Sequence, residues 1–260
     1  MDQLKYILIF IIALKIFPIY SQDYCDIIQS IQNYQDSVKL KSTKRCDIID
    51  PKTFDLTTYL KFFDKIEVEE GYKIGVCYFD NFADGSPYLY AIKENKELKD
   101  NNKKSLYKLF NSKECQAKYH VKPTPSDIGF LQYLFFYKMG EQFALKWHSN
   151  YNEEYIICST KKLSKVVAEF RKYNQSAERD NDEIESPPFI VDVMELNKIE
   201  QINPAVEVES FNDYYLIEWI ENRTHDGIYK CKYKIQNQAP FDILLVNEEL
   251  LLKITPGFLY

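Results

Sequence analysis

A short apolar leader decides which compartment, and so which kind of fold, is open to the rest of this chain. Lys5 precedes Tyr6-Ile7-Leu8-Ile9-Phe10-Ile11-Ile12-Ala13-Leu14, and the stretch ends in the polar Ser21-Gln22-Asp23. That is the charged, apolar and polar-cleavage layout of a secretory signal peptide, with cleavage expected after Ser21 or Gln22. Lys15 and Pro18 interrupt the run. It is also shorter than the roughly 20 apolar residues a spanning helix needs, and no second run of that length follows. The expectation is a secreted, extracellular protein with no membrane span.

Export places six cysteines (Cys25, Cys46, Cys77, Cys115, Cys158 and Cys231) in an oxidising compartment, where an even count reads as three disulfides. The spacing leaves their pairing open. No two form C-x-x-C, so zinc and redox motifs are disfavoured. Asn174-Gln175-Ser176 and Asn222-Arg223-Thr224 are glycosylation sequons, which makes Asn174 and Asn222 the expected sugar attachment points.

The formal net charge is −6, and loss of Asp2, Lys5 and Lys15 with the leader takes it to −7. An acidic chain of interspersed signs with no basic block argues against nucleic acid or an anionic membrane as partner. The 21 tyrosines and 17 phenylalanines, set against 7 glycines, push the reading toward sheet.

Tyr24, Ile27, Ile28, Ile31 and Val38 fall at helical spacing, so a short amphipathic helix is expected over Asp23–Val38. From Phe62 to Ser159 the pattern becomes short apolar or alternating runs between polar turns. The expected strands are Phe63–Val68, Lys73–Phe79, Pro87–Lys93, Lys104–Phe110, Glu114–Val121, Phe130–Lys138, Gln142–His148 and Glu154–Ser159. Eight short strands at this spacing predict a closed barrel or a sandwich. A helix capped by Thr160 follows, with Leu163, Val166, Val167 and Phe170 as its core-facing stripe. Beyond a charged linker, Tyr214–Ile220 and Ile228–Ile235 read as a hairpin with Asp226-Gly227 in its turn. Leu244–Ile254 fits a strand or a helix; its periodicity does not decide.

Catalytic patterns are missing from the sequence. The three histidines, His120, His148 and His225, are far apart, and no H-E-x-x-H, G-x-S-x-G, P-loop or G-x-G-x-x-G occurs. An even exported set of cysteines leaves no nucleophilic thiol to spare. The expectation is a binding protein rather than an enzyme, with no metal and no cofactor.

Several segments together resemble the lipocalin family, and within it the secreted lipocalins of blood-feeding insects. Cys46-Asp47-Ile48-Ile49-Asp50-Pro51-Lys52-Thr53-Phe54-Asp55-Leu56-Thr57-Thr58-Tyr59-Leu60 is similar to the family's opening. Gly75-Val76-Cys77-Tyr78-Phe79 resembles its early barrel cysteine, and Phe143 to Cys158 its late hairpin, with a helix following from Lys161. The match covers roughly Cys46 to Tyr173. The family's G-x-W reads Lys61-Phe62-Phe63 here, and the tail after Asp180 is longer than the family's closing strand.

The resemblance implies an eight-stranded antiparallel barrel holding one small, mostly apolar ligand. An N-terminal helix, a barrel-side helix and a C-terminal β-rich extension would accompany it. The layout would be a signal peptide over 1–21, a helical segment over 22–45, barrel plus helix over 46–176, and a C-terminal hairpin extension over 177–260. Its pocket candidates are Tyr88, Tyr90, Phe130, Tyr133, Phe135, Phe143, Leu145 and Trp147. Carried over position by position, it implies the disulfides Cys46–Cys158 and Cys77–Cys231, with Cys25–Cys115 as the remaining pair. Pro87-Tyr88-Leu89-Tyr90-Ala91 lacks the histidine through which some relatives hold haem, so haem is not expected. The alternative reading is a secreted effector or inhibitor with a filled core, contacting a host or other extracellular protein.

Overall fold

The structure, a computed structural model, describes residues 23–38, 55–80, 85–96, 112–143, 154–179, 189–223 and 226–256. The leader, Cys46, the expected strand Lys104–Phe110, and Leu145 and Trp147 lie outside the described residues. Helix α1 (23–37) turns Tyr24, Ile28 and Ile31 of the expected stripe into the core, and Cys25 with them. Helix α2 (Leu56–Lys61) starts where the Asp55 carboxylate accepts the Thr58 N–H at 3.1 Å and the Thr58 hydroxyl at 2.5 Å, an N-cap that satisfies an otherwise orphan donor.

The organising element is a five-stranded antiparallel sheet. Its strands are β5 (Glu154–Ile157), β7 (Glu207–Ser210), β8 (Tyr214–Arg223), β9 (Gly227–Gln236) and β10 (Ile243–Lys253). The order runs β10-β9-β8-β5, and β7 shares the same edge of β8 as β5, pairing the other end of that strand. The β8–β9 hairpin forms over the span its alternation predicts, with Trp219 opposite Cys231 and Ile217 opposite Tyr233. Leu244–Ile254 resolves as strand. Three smaller antiparallel pairs complete the chain: β1 (Ile66–Val68) with β4 (Val121–Pro123), β2 (Tyr72–Asp80) with β3 (Gly85–Lys93), and β6 (Phe189–Ile190) with β11 (Thr255–Pro256). Gly71, at φ 79°, takes the left-handed position in the turn between β1 and β2, a conformation that favours glycine. The architecture is thus mixed helix and strand with antiparallel sheets, and none of the described sheets closes into a barrel.

One expected strand is a helix. Phe130–Lys138 lies within α3 (Asp127–Met139), where Gly129 through Phe136 are all buried. A helix surrounded by protein is apolar on every side and carries no 3.6-residue period to read. What starts it is local: the Ser126 hydroxyl accepts the Gly129 N–H at 3.0 Å. Gln132, inside this helix, bridges the turn after α2. Its amide donates to Phe62 O and Asp64 Oδ1, and its oxygen accepts the Lys65 N–H. Glu114–Val121 also departs from expectation. It forms two short 3-10 turns, Lys113–Cys115 and Ala117–Tyr119, before β4.

Helix α4 (Thr160–Arg179) buries Leu163, Val166, Val167 and Phe170, as its stripe predicts. Its cap is Ser159 rather than Thr160: the Ser159 hydroxyl accepts the Lys162 N–H at 3.2 Å. Helix α5 (Val193–Ile199) is capped by Asp192. Both pack on one side of the sheet with Ile157, Ile220, Ile228 and Leu252. The other side carries Ile156, Ile217, Trp219, Cys231, Tyr233 and Ile235, in one cluster with α1 and α3. No helix among the described residues is long and apolar enough to cross a membrane.

The disulfide found is Cys25–Cys158, with Cα atoms 5.3 Å apart, and it corrects two implied pairs. Cys25 faces the core from the first turn of α1, next to the end of β5. Neither Cys46–Cys158 nor Cys25–Cys115 is therefore formed. Cys115 and Cys231 are free thiols, so Cys77–Cys231 is not formed either; Cys231 sits buried mid-sheet, 3.4 Å from the Arg223 guanidinium. The two sequon asparagines lie within α4 and β8. Asn222 is 4% exposed inside β8, paired to Tyr155 on one side and Ile228 on the other. The Asn174 amide is held by both main-chain groups of Val191.

Candidate functional site

Between α1 and α4 lies an open cleft of about 580 Å3. Its walls are set by amides. Three glutamines spaced one helical turn apart on α1 each reach a different element. Gln29 donates to the Ser159 hydroxyl at 3.1 Å and lies against the disulfide sulfurs. Gln32, with its amide oriented to satisfy both atoms, donates to Ile156 O at 3.2 Å and accepts the Ile156 N–H at 2.6 Å. It thereby continues the edge of β5 as a strand would. Gln35 donates to Met139 O at 2.7 Å and to the Tyr59 hydroxyl at 3.0 Å. With the disulfide, these bonds hold α1 at a fixed distance from α4.

The rim is polar and charged. Asn33 and Asp36 project from α1, and Lys161, Lys162, Lys165 and Glu169 from α4; Glu154 and Tyr155 close the end. Lys162 Nζ sits 4.5 Å from the Tyr155 ring centre, a cation–π contact that steadies both. Burial pushes the Glu154 carboxyl above its ordinary range, and the nearby Glu221 charge adds to this while Lys138 and Arg223 oppose it. The cleft offers donors, acceptors of both charge states and one aromatic face. Its chemistry suits a ligand rich in hydroxyl, amide or charged groups, and its volume lies within the usual range for small-ligand sites.

The pocket candidates from the sequence are elsewhere. Phe130 stacks on Tyr215 with ring centres 3.9 Å apart, and Tyr133 packs edge-on to Phe241. Phe135 lies against Phe63, and Phe143 against Tyr59. Tyr90 is buried and Tyr88 half-buried on β3. The structure brings most of these rings into one packed core, and none lines the cleft. The cleft residues carry one sequence signal: glutamines at positions 29, 32 and 35, a polar stripe beside the apolar stripe of α1.

Two buried polar clusters were also invisible in sequence. Glu221, fully buried, accepts from Trp219 Nε1 at 2.9 Å and from the Tyr233 hydroxyl at 2.5 Å, and Arg223 bridges it to Glu248. Burial alone would raise the Glu221 carboxyl. The bonds from Tyr233 and Trp219, with the Lys138 charge and the Arg223 bond, outweigh it and hold the group below its ordinary range. Burial, with the Glu221 and Glu248 charges, pushes the Cys231 thiol up to about 12, so it is no nucleophile at neutral pH. His120 stacks on Tyr72, and its two nitrogens meet a Glu69 oxygen at 2.7 Å and Glu114 O at 2.9 Å. Both positions of the ring are used in fastening the 3-10 turns to the start of β2. Among the described residues no cluster has the composition of a metal site. No protein-family model, curated protein or solved structure matches the chain, so the geometry itself is the ground for a functional reading.

Proposed function

We propose that this chain is a secreted binding protein that holds a polar, hydrogen-bonding ligand in the cleft between α1 and α4, and that it has no catalytic role. The observation that carries this reading is the division of labour in the cleft. Gln29, Gln32 and Gln35 are spent on fixing its walls, while Asn33, Asp36, Lys161 and Lys165 stay exposed at its rim. Preorganised walls with exposed polar groups at the rim lower the ordering cost of binding. Of the residues expected to line an apolar interior, Phe130, Tyr133, Phe135 and Phe143 pack on other rings of the core, which favours a polar ligand in the cleft over an apolar one inside a barrel.

The test is calorimetric titration of the secreted protein with N-acetylated oligosaccharides and with short peptides. Saturable binding is expected from one class, weakened about tenfold or more by Asp36→Ala or Lys162→Ala with the fold unchanged by circular dichroism. Absence of binding across both classes, together with no ligand co-purifying in native mass spectrometry, would end the reading.

A further inference from the structure

Strand β10 carries a surface that the cleft does not explain. Among the described residues it pairs with β9 along one edge, and no strand pairs along the other. Leu244, Leu245, Val246 and Leu250 are 60, 42, 43 and 48% exposed. An open, apolar edge strand is a template for a further strand. Natural edges are usually blunted, and β10 is blunted only in part: its register slips at Val246 and again at Leu251, and its middle is acidic.

The acids define the partner. The midpoint of Ile243–Lys253 is Glu248. An antiparallel pairing of two copies about that point would set Glu248 against Glu248, with both Glu249 carboxylates close by. Like charges placed opposite each other destabilise a strand pair. Glu248 is also not free to swing away, because Arg223 holds it at 2.6 Å and is itself anchored on buried Glu221 at 2.8 Å. We propose that the β10 edge takes up an extended segment of another protein, apolar at both ends and basic at its centre, as an added strand. Main-chain hydrogen bonds would supply affinity. Apolar ends would meet Leu244, Leu245 and Leu250, and lysines or arginines on the two faces of the added strand would meet Glu248 and Glu249. This surface is separate from the cleft, so either proposal stands without the other.

The test uses the full secreted chain and two labelled nine-residue peptides with valine-threonine flanks, one with two central lysines and the other with two central glutamates. Anisotropy is expected to show the lysine peptide binding at least tenfold tighter, and amide exchange to slow across Leu244–Leu250. Glu249→Lys, at an exposed position, should reverse the preference without altering the circular dichroism spectrum. Equal binding of the two peptides, binding of neither, or protection elsewhere than β10 overturns the proposal. A concentration-dependent dimer that protects β10 overturns it in favour of a second copy.

Discussion

Ile156 and Ile157 are adjacent in the chain and lie on opposite sides of the central sheet. On the Ile156 side phenylalanines and aliphatic side chains pack with tyrosines and a tryptophan whose polar tips are hydrogen-bonded. Trp219 and Tyr233 donate to Glu221, and the Tyr59 hydroxyl donates to Gly140 O at 2.7 Å. On the Ile157 side Leu163, Val166, Leu196, Ile199, Ile228 and Leu252 pack without directional bonds, and Phe170 is the one ring in the buried cluster. The first side is specified by geometry and the second by volume. The cleft opens where the two meet, between a helix that belongs to the aromatic side and one that belongs to the aliphatic side. A binding site there can use the rigid wall to position a ligand and the more tolerant wall to adapt to it.

The largest expected effect separates the two sides directly. Replacing Cys25 and Cys158 together by serine removes a cross-link spanning 133 residues, which chain-entropy reasoning puts near 5 kcal/mol. The buried apolar face of α1 belongs to the aromatic side. Hydrogen exchange should therefore accelerate in α1 and its neighbours first, while α4 and α5 keep their protection. Equal acceleration on both sides would mean that the sheet unfolds as one unit and the distinction has no thermodynamic content.

Next comes Glu221→Gln, which leaves Arg223 without its buried partner and should cost about 3–5 kcal/mol at neutral pH. The folded-state carboxyl is held below its ordinary range, so its contribution is complete above that range and is lost as pH falls. Denaturant midpoints of the two proteins should converge below about pH 4.3. A gap that stays constant to pH 3 would remove the charge from the account.

On the aliphatic side, Leu163→Ala should cost about 3 kcal/mol by chemical denaturation, with no pH dependence of its own, since only volume and transfer are lost. The smallest effect is expected for Tyr59→Phe, about 1 kcal/mol for the hydroxyl shared by Gln35 and Gly140. If this change costs as much as Leu163→Ala, directional bonds matter more to the aromatic side than its packing does.

The sequence by itself determined those elements whose signal is local and one-sided. Strand β9 was legible because Tyr229, Cys231, Tyr233 and Ile235 alternate with three lysines. Helix α4 was legible because a four-residue stripe meets water on its other face. Helix α1 was legible for the same reason, and the polar stripe of its glutamines was readable as a pattern but not as a purpose. Tertiary structure decided the rest. Helix α3 is buried all round, so its sequence has no face to show and a strand reading was equally compatible. The partner of Cys158, the burial of Asn222 and the meeting of Glu221 with Arg223 and Glu248 all join groups through the sheet register and helix packing. Composition names the groups available for such contacts, but the distance between them is set only when the chain has closed.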